Sequence, residues 1–440
     1  MPLIKFFKKL LKNPHPAIDK SLEEFSIPRS QHNLSKADIN SYALEVINKL
    51  HNHGHEAYLV GGSVRDLLIH KVPKDFDVAT SATPQQIKKL FKNSRIIGRR
   101  FKLVHITFQR EIIEVSTFRS NEPDEKIETN AQGMVIRDNV YGNLAQDSWR
   151  RDFTINSLYY NIHNSSIVDY TGGFKDIQNK LINIIGQPEV RYQEDPVRML
   201  RAIRFAAKIN FNIAEGTSTP IFTLGHLLQH ISNARLCDEI IKILQCQEAK
   251  KTFELLHHYQ LIQYLFPLTI AVDQYYPNQQ KFIENALENT DARIKAQKPT
   301  TPAFTFAVLL WFPMRHLAIE LQENDTLHPL EALEHAMGRI LNQQSKTIGI
   351  PRRYTQIIRE IWLLQYRFEK RVGKKPWQLM AHARFRAAYD FLLLRAINQD
   401  ESLELAQWWT SFQEAGEEEQ VKMIASLNKP VANKKRRRKK

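Results

Sequence analysis

Two aspartates one residue apart, Asp75 and Asp77, follow a glycine pair, Gly61 and Gly62, and an Arg65–Asp66 pair in the stretch AYLVGGSVRDLLIHKVPKDFDVAT. On a β-strand, residues i and i+2 share a face. Two carboxylates so placed repel unless a cation lies between them, as in two-metal phosphoryl-transfer sites whose ions sit about 3.5–4 Å apart. The glycines suit the same chemistry, because backbone without side chains can bring N–H groups close to phosphate oxygens at the start of a helix. Arg65, one turn in, offers a charged fork to the same phosphates. Taken alone, these residues also fit a plain strand–turn–helix with a solvated acidic pair. Neither G-x-x-x-x-G-K-[ST] nor G-x-G-x-x-G is present, so metal as well as backbone would have to hold a phosphate here.

The elements that must position these groups can be read around them. Ala37 to Leu50 has helical periodicity, and HNHGHE ends it as a polar turn around Gly54. Ala57 to Val60 reads as a buried strand, Val64 to Ile69 as a short helix, and Lys74 to Ala79 as a strand. Thr83, Pro84 and Gln86 form a capping box with proline at the first helical position. RIIG, LVHITF and EIIEVSTF then read as strands, with Val104, Ile106 and Phe108 alternating strictly. Residues 57–118 thus make a small mixed sheet with helices on one side. Glu114 is a carboxylate in an otherwise apolar strand, which calls for a cation or an edge position. Asp152, in RRDFTINSLYY, is a further acid, for which an ion pair with Arg150 or Arg151 is the plain explanation. Residues 119–147 are polar and aperiodic and read as a long mobile loop. From Asp195 onward the periodicity is mainly helical. Asp195–Pro196 has the pattern of an N-cap followed by proline, and Arg198, Arg201, Arg204 and Lys208 fall on one side of the helix it opens.

LVGGSVRD, DFDVAT, EVSTFR, RRDFTINSLYY and EDPVRMLRAIRFAAK occur in this order over roughly residues 57–208 and resemble the motif series of the class II nucleotidyltransferases. That family comprises the tRNA CCA-adding enzymes and the bacterial poly(A) polymerases. The resemblance implies a nucleotidyltransferase head with two Mg²⁺ ions, replaceable by Mn²⁺, on Asp75 and Asp77. It makes Glu114 the third acid and places Asp152 with the essential acids. Gly61, Gly62, Arg65 and Asp66 would bind triphosphate, with Arg150, Arg151 and Asn156 at the nucleotide. Asp195 and Arg198 would read the base, with Arg201 and Arg204 alongside. IIGRRFKLVHI, with Arg99 and Arg100, and HARFRAAYDFLLLRA (His382 to Ala396) resemble the poly(A) polymerase branch. The implied reaction is template-independent transfer of AMP from the substrate ATP to RNA 3′ ends with release of pyrophosphate, in the service of RNA turnover. Addition of CCA to tRNA is the alternative. An inactive RNA-binding adaptor is the second, though a dead head has no need to keep same-face acids.

Bulk composition agrees with an RNA partner. The chain has 440 residues and a formal net charge of +15, and much of that charge sits at its ends. MPLIKFFKKLLK has four lysines and no acid, and the chain closes on Lys434, Lys435, Arg436, Arg437, Arg438, Lys439 and Lys440. Such a tail suits a polyanion backbone, whose condensed counterions it releases; nothing calls for DNA. Ile4, Phe7, Leu10 and Leu11 share one face of a short amphipathic segment, which allows peripheral membrane contact. Cys237 and Cys246 are not in a metal spacing and read as free thiols of a reducing cytoplasm. The expected class is an α/β head followed by an all-α remainder. Its expected parts are a leader (1–35), a head (36–165), a helical nucleotide- and RNA-binding neck (166–255), a helical RNA-binding body (256–430) and a polybasic tail (431–440). RNA-degradation machinery is the expected protein partner. Phe385, Tyr389, Leu392 and Leu393 read as core, and Trp408 and Trp409 as core in preference to RNA-stacking residues.

Overall fold

The computed structural model describes residues 25–98, 102–120, 128–129, 135–137, 140–324 and 327–427. Arg99, Arg100, the basic tail from Lys434 to Lys440 and the amphipathic N-terminal segment lie outside the described residues. The chain divides into two units, Met1–Leu227 and Leu228–Lys440. The expected neck, 166–255, is shared between them.

The first unit is built on an eight-stranded sheet. Its strands are β1 (Phe25–Ile27), β2 (Ala57–Val60), β3 (Asp77–Thr80), β4 (Ser94–Ile97), β5 (Leu103–Phe108), β6 (Glu111–Thr117), β7 (Leu158–Asn161) and β8 (Ser166–Asp169). They lie in the order β1-β8-β7-β2-β3-β6-β5-β4. Among these neighbours β3 and β6 run parallel, and the other pairs are antiparallel.

Register sorts the sheet into two faces. Ile27, Ile167, Tyr160, Leu59, Val78, Val115, Val104 and Ile96 are successive cross-strand partners and form one apolar row. Helices α1 (Ser41–Asn52) and α3 (Pro84–Leu90) pack against this face. The neighbouring row points to the other face and reads Ser26, Val168, Tyr159, Val60, Asp77, Glu114, His105 and Arg95. On that face α4 (Leu144–Arg150) covers one half, where Leu144 packs with Val60, Ala79, Phe118, Tyr159 and Val168. Helices therefore lie on both faces, and not on one side as the sequence predicts, because α4 covers half of the face that carries Asp77.

Four further sequence expectations change. The strand at Asp77 begins later than Lys74, so Asp75 lies in the connection before it and the shared-face argument for the two aspartates does not apply. The expected loop 119–147 contains the start of α4, capped by reciprocal bonds between Asn143 and Gln146, and a short hairpin, Glu128–Thr129 with Val135–Arg137. Phe25–Ile27, inside the expected leader, pairs with β8 at the sheet edge. The expected head–neck boundary at 165 falls in the turn of the β7–β8 hairpin, and Ser166–Asp169 stays in the head sheet because Val168 pairs with Tyr159. The capping box at Thr83 and the polar turn at Gly54, where φ is +80°, form as expected.

The second unit is helical throughout its described residues. Trp409 is fully buried among Phe368, Phe385 and Phe412, and its indole N–H donates to the carbonyl of Phe368 at 2.9 Å. Trp408 stacks on Phe412, and the Arg371 guanidinium lies over its ring. Phe385, Tyr389 and Leu392 are buried in the same cluster, with Leu393 partly so. Among the described residues no single helix is long and apolar enough to cross a membrane. Trp409→Ala is expected to cost about 3–5 kcal/mol in urea unfolding. RNA affinity of the folded variant should stay at the wild-type value, whereas a stacking role would lower it without the loss of stability.

Candidate active site

The parallel pairing of β3 with β6 sets Asp77 directly beside Glu114. Asp77 opens its strand and is partly buried, and Asp75, two residues earlier, is exposed. Burial and the charge of Glu114 push the Asp77 carboxyl up to about 6, with Asp75 adding to the rise and Arg151 offsetting part of it. Glu114 in turn contacts His105, whose Nε2 lies 3.2 Å from its carboxylate. His105 is a neighbour of the acids that sequence reasoning missed, because nothing in the alternation of β5 singles it out until that strand pairs with β6.

Arg151 faces Asp77 from a braced position. Its guanidinium donates to Asp147 at 3.0 Å and to the Tyr159 hydroxyl at 2.8 Å, and it lies over the Tyr159 ring. Asp147 also accepts the Tyr159 hydroxyl at 2.7 Å and the Arg119 backbone N–H at 3.2 Å. Burial alone would raise the Asp147 carboxyl, but Arg151 and Tyr159 outweigh it and hold it below the usual range. Gly61 follows β2 with φ +74°, in the left-handed region that favours glycine, and an added Cβ would sit 3.4 Å from the Arg151 guanidinium. Gly62 begins α2 (Gly62–Leu68).

The remaining residues form a connected polar chain. Arg65 is buried and does not present an open fork: it donates to Asp66 at 2.8 Å and to the side-chain carbonyl of Asn156 at 2.5 Å. Asn156 donates to Asp152 at 3.2 Å, and Asp152 accepts from Arg201 at 2.7 Å. Burial works to raise the Asp152 carboxyl, but the charge and hydrogen bond of Arg201, helped by Asn156 and the Phe153 N–H, bring it down to about 2. Asp152 is thus bound to a cation, and its partner is Arg201, not Arg150 or Arg151. Lys208 approaches Asp66 at 3.9 Å from the other end. The guanidinium groups of Arg65, Arg201 and Arg204 all lie over the ring of Phe205, at 5.1, 5.3 and 4.7 Å.

Helices α6 and α7 carry the expected base-reading residues; a short helix, α5 (Gly173–Asn179), precedes α6 (Pro188–Glu194) and α7 (Val197–Ile209). Asp195 ends α6, and its carboxylate accepts the Val197 N–H at 3.3 Å, which is a capping bond. Arg198 donates to Glu194 at 3.0 Å and to the Arg191 carbonyl at 2.6 Å. Arg191, also missed in the sequence, donates to Glu194 at 2.9 Å and to the backbone carbonyls of Arg150 and Arg151 at 2.8 and 2.5 Å. Burial and the charge of Arg198 push the Arg191 guanidinium down to about 10. Arg150 enters through that carbonyl and through its charge, which acts on Asp147 and Arg191.

Among the described residues no three or more His, Cys, Asp or Glu side chains make a preformed metal cage. The donor set still fits magnesium, which is commonly held by one or two carboxylates together with substrate phosphates. A carboxyl raised by burial and like charges is one whose ionised form a divalent cation would stabilise.

The fold is that of a class II nucleotidyltransferase. It is similar to the structure of the Bacillus stearothermophilus CCA-adding enzyme in complex with CTP, with a TM-score of 0.59 and 25% identity, covering 88% of this chain and 82% of that one. Sequence narrows the class. Residues 57–183 match the "Poly A polymerase head domain", 210–272 the "Probable RNA and SrmB- binding site of polymerase A", and 325–440 the "Polymerase A arginine-rich C-terminus". Poly(A) polymerase I of Salmonella typhi is 46% identical over 93% of this chain and 90% of its own. The CCA-adding enzyme of Lactobacillus helveticus is 38% identical over 51% of this chain and 55% of its own. The chain belongs to the poly(A) polymerase family.

Asp77 gives a pH signature. Its folded-state pKa of about 6 lies above the ordinary 3.8. The stability it contributes is present below the ordinary value and is lost as pH rises through the folded one. In the absence of divalent cations, Asp77→Asn should melt above wild type beyond pH 6, with the gain vanishing toward pH 4. Added Mg²⁺ should raise the melting temperature of wild type and not that of the variant.

Proposed function

We propose that this protein adds AMP from ATP to the 3′ ends of RNA without a template. The observation that carries the reading is the 46% identity to a poly(A) polymerase I along 93% of the chain, against a match to CCA-adding enzymes that stops near half of it. In the reaction the RNA 3′-oxygen attacks the α-phosphorus of ATP, the bond to the bridging oxygen of the β-phosphate breaks, and pyrophosphate leaves.

Asp75, Asp77 and Glu114 would hold two Mg²⁺ ions, which when bound stabilise phosphoryl charge and make the attacking hydroxyl easier to deprotonate. Backbone at Gly61 and Gly62 faces the triphosphate, with Arg151 close enough to act on Asp77 and braced from behind by Asp147 and Tyr159. In this reading Arg65 and Asp152 act as positioning residues, because each is spent on a protein partner. Their chain through Asn156 orders the ribose side of the site. Arg198 addresses the base edge from the brace that Glu194 and Arg191 provide. The protein then reads the base itself, and no template strand is required.

The basic tail adds sequence-independent RNA affinity. A cytoplasmic location and a role ahead of RNA-degrading enzymes go with the reading, since a single-stranded tail gives an exonuclease a place to start.

Purified protein with Mg²⁺, given an unstructured RNA and a tRNA lacking its 3′ end, should make long ladders on the unstructured RNA with ATP alone. Short addition on the tRNA that requires CTP would instead identify a CCA-adding enzyme. Asp77→Ala should abolish incorporation while gel-shift RNA binding persists, and joint loss would assign the residue to folding. Arg198→Ala should narrow the preference for ATP over CTP by about tenfold, on the order of one charged hydrogen bond. Unchanged selectivity in single-nucleotide addition would leave Arg198 as a structural partner of Glu194.

A further inference from the structure

The polar row across the sheet continues beyond the acids. From Asp77 it passes to Glu114, then to His105 on β5 and to Arg95 on the edge strand β4. Strands lie about 4.8 Å apart, so His105 and Arg95 stand about 5 and 10 Å from Glu114 across the sheet. Ile112 lies on this face too, two residues before Glu114, and is 53% exposed. Arg95 is exposed. It has no hydrogen-bond or ion-pair partner among the described residues, whereas Arg65, Arg151, Arg191, Arg198 and Arg201 are all engaged with protein groups.

The two flanks of Asp77 differ in kind. Toward β2 and β7 lie Gly61 and Arg151, the groups assigned to the incoming nucleotide, and Tyr159, which braces Arg151. Toward β5 and β4 lie His105 and Arg95, and among the described residues none of the groups assigned to the nucleotide lies there. In-line displacement at phosphorus requires the attacking and leaving oxygens on opposite sides. If the triphosphate occupies the first flank, the attacking strand must come over the second.

We propose that the open face of β6, β5 and β4 is the subsite for the last nucleotides of the RNA acceptor. Arg95 takes a backbone phosphate one step back from the attacking hydroxyl. Ile112 and the His105 ring give the terminal base a surface to lie on. An arginine on an edge strand also discourages strand pairing, but that role does not require it to stand in register with the catalytic acids. The assignment rests on the polymerase reading for the identity of the acceptor.

The test measures binding of a 5′-labelled oligoadenylate to the full chain without ATP, across a salt series, with ATP extension by the wild type run alongside. Arg95→Gln is expected to weaken binding about three- to tenfold at low salt and to reduce the slope of log affinity against log salt by about 0.7, the loss of one phosphate contact on a single strand. The KM for ATP should not change, and Arg95→Lys should recover most of the affinity. In a second arm, RNA with 4-thiouridine at its last position is photo-cross-linked, and the modified peptide should fall within residues 94–117. Unchanged affinity and slope in Arg95→Gln, or cross-links only to other stretches, would overturn the subsite. Failure of the wild type to extend RNA would overturn the polymerase reading separately, because the binding arm needs no catalysis.

Discussion

Two carboxylates held side by side on neighbouring parallel strands are the constraint around which the first unit is organised. Asp77 and Glu114 face each other because β3 and β6 pair in that register. A shift by one residue would turn one of them to the buried face. The register is secured from behind by Leu59, Val78, Val115 and Val104, which are fully buried beneath α1 and α3. An apolar row fixes a polar one. Burial, together with the repulsion so created, raises Asp77, and the packing on the opposite face holds the pair in register.

The cations near this pair fall into two groups by what they touch. Arg65, Arg191, Arg198 and Arg201 tie α2, the 150–156 segment, α6 and α7 into one polar network. Most of their donors go to carboxylates or carbonyls of the protein, as buried guanidinium groups require. Arg95 stands apart on the open edge. The arginines of the network are held in place by Asp66, Asp152 and Glu194, the last shared by Arg191 and Arg198, so the network keeps its charges fixed with one positive charge in excess.

Much of the site was legible in the sequence because its chemistry depends on residue types at short spacing. Gly61, Asp75, Asp77 and Glu114 declare themselves by the turn, the acids and the apolar strand that carries the last of them. What stayed hidden depended on long-range register or on the direction of a side chain. Arg65 reads as an open fork, and only the fold shows Asp66 and Asn156 consuming it. Asp152 reads as an acid like the others, yet Arg201, from a distant helix, claims it. His105 is one alternating residue among several until β5 lies against β6. Strands Phe25–Ile27 and Ser166–Asp169 are short and earn their place from partners, not from local pattern. Helix α4 was legible in principle through Asn143 and Gln146, but its polar composition hid it.

The parallel pairing of β3 with β6 has a bearing on how the site comes into being. Parallel neighbours cannot be joined by a tight turn; here the chain between them forms α3, β4 and β5 before it returns. Contacts of this separation carry a loop-closure cost that local ones do not. The two aspartates are neighbours in the chain, whereas the third acid reaches them only through this pairing. A head in which β3 and β6 were not paired would carry the motif without bringing its acids together.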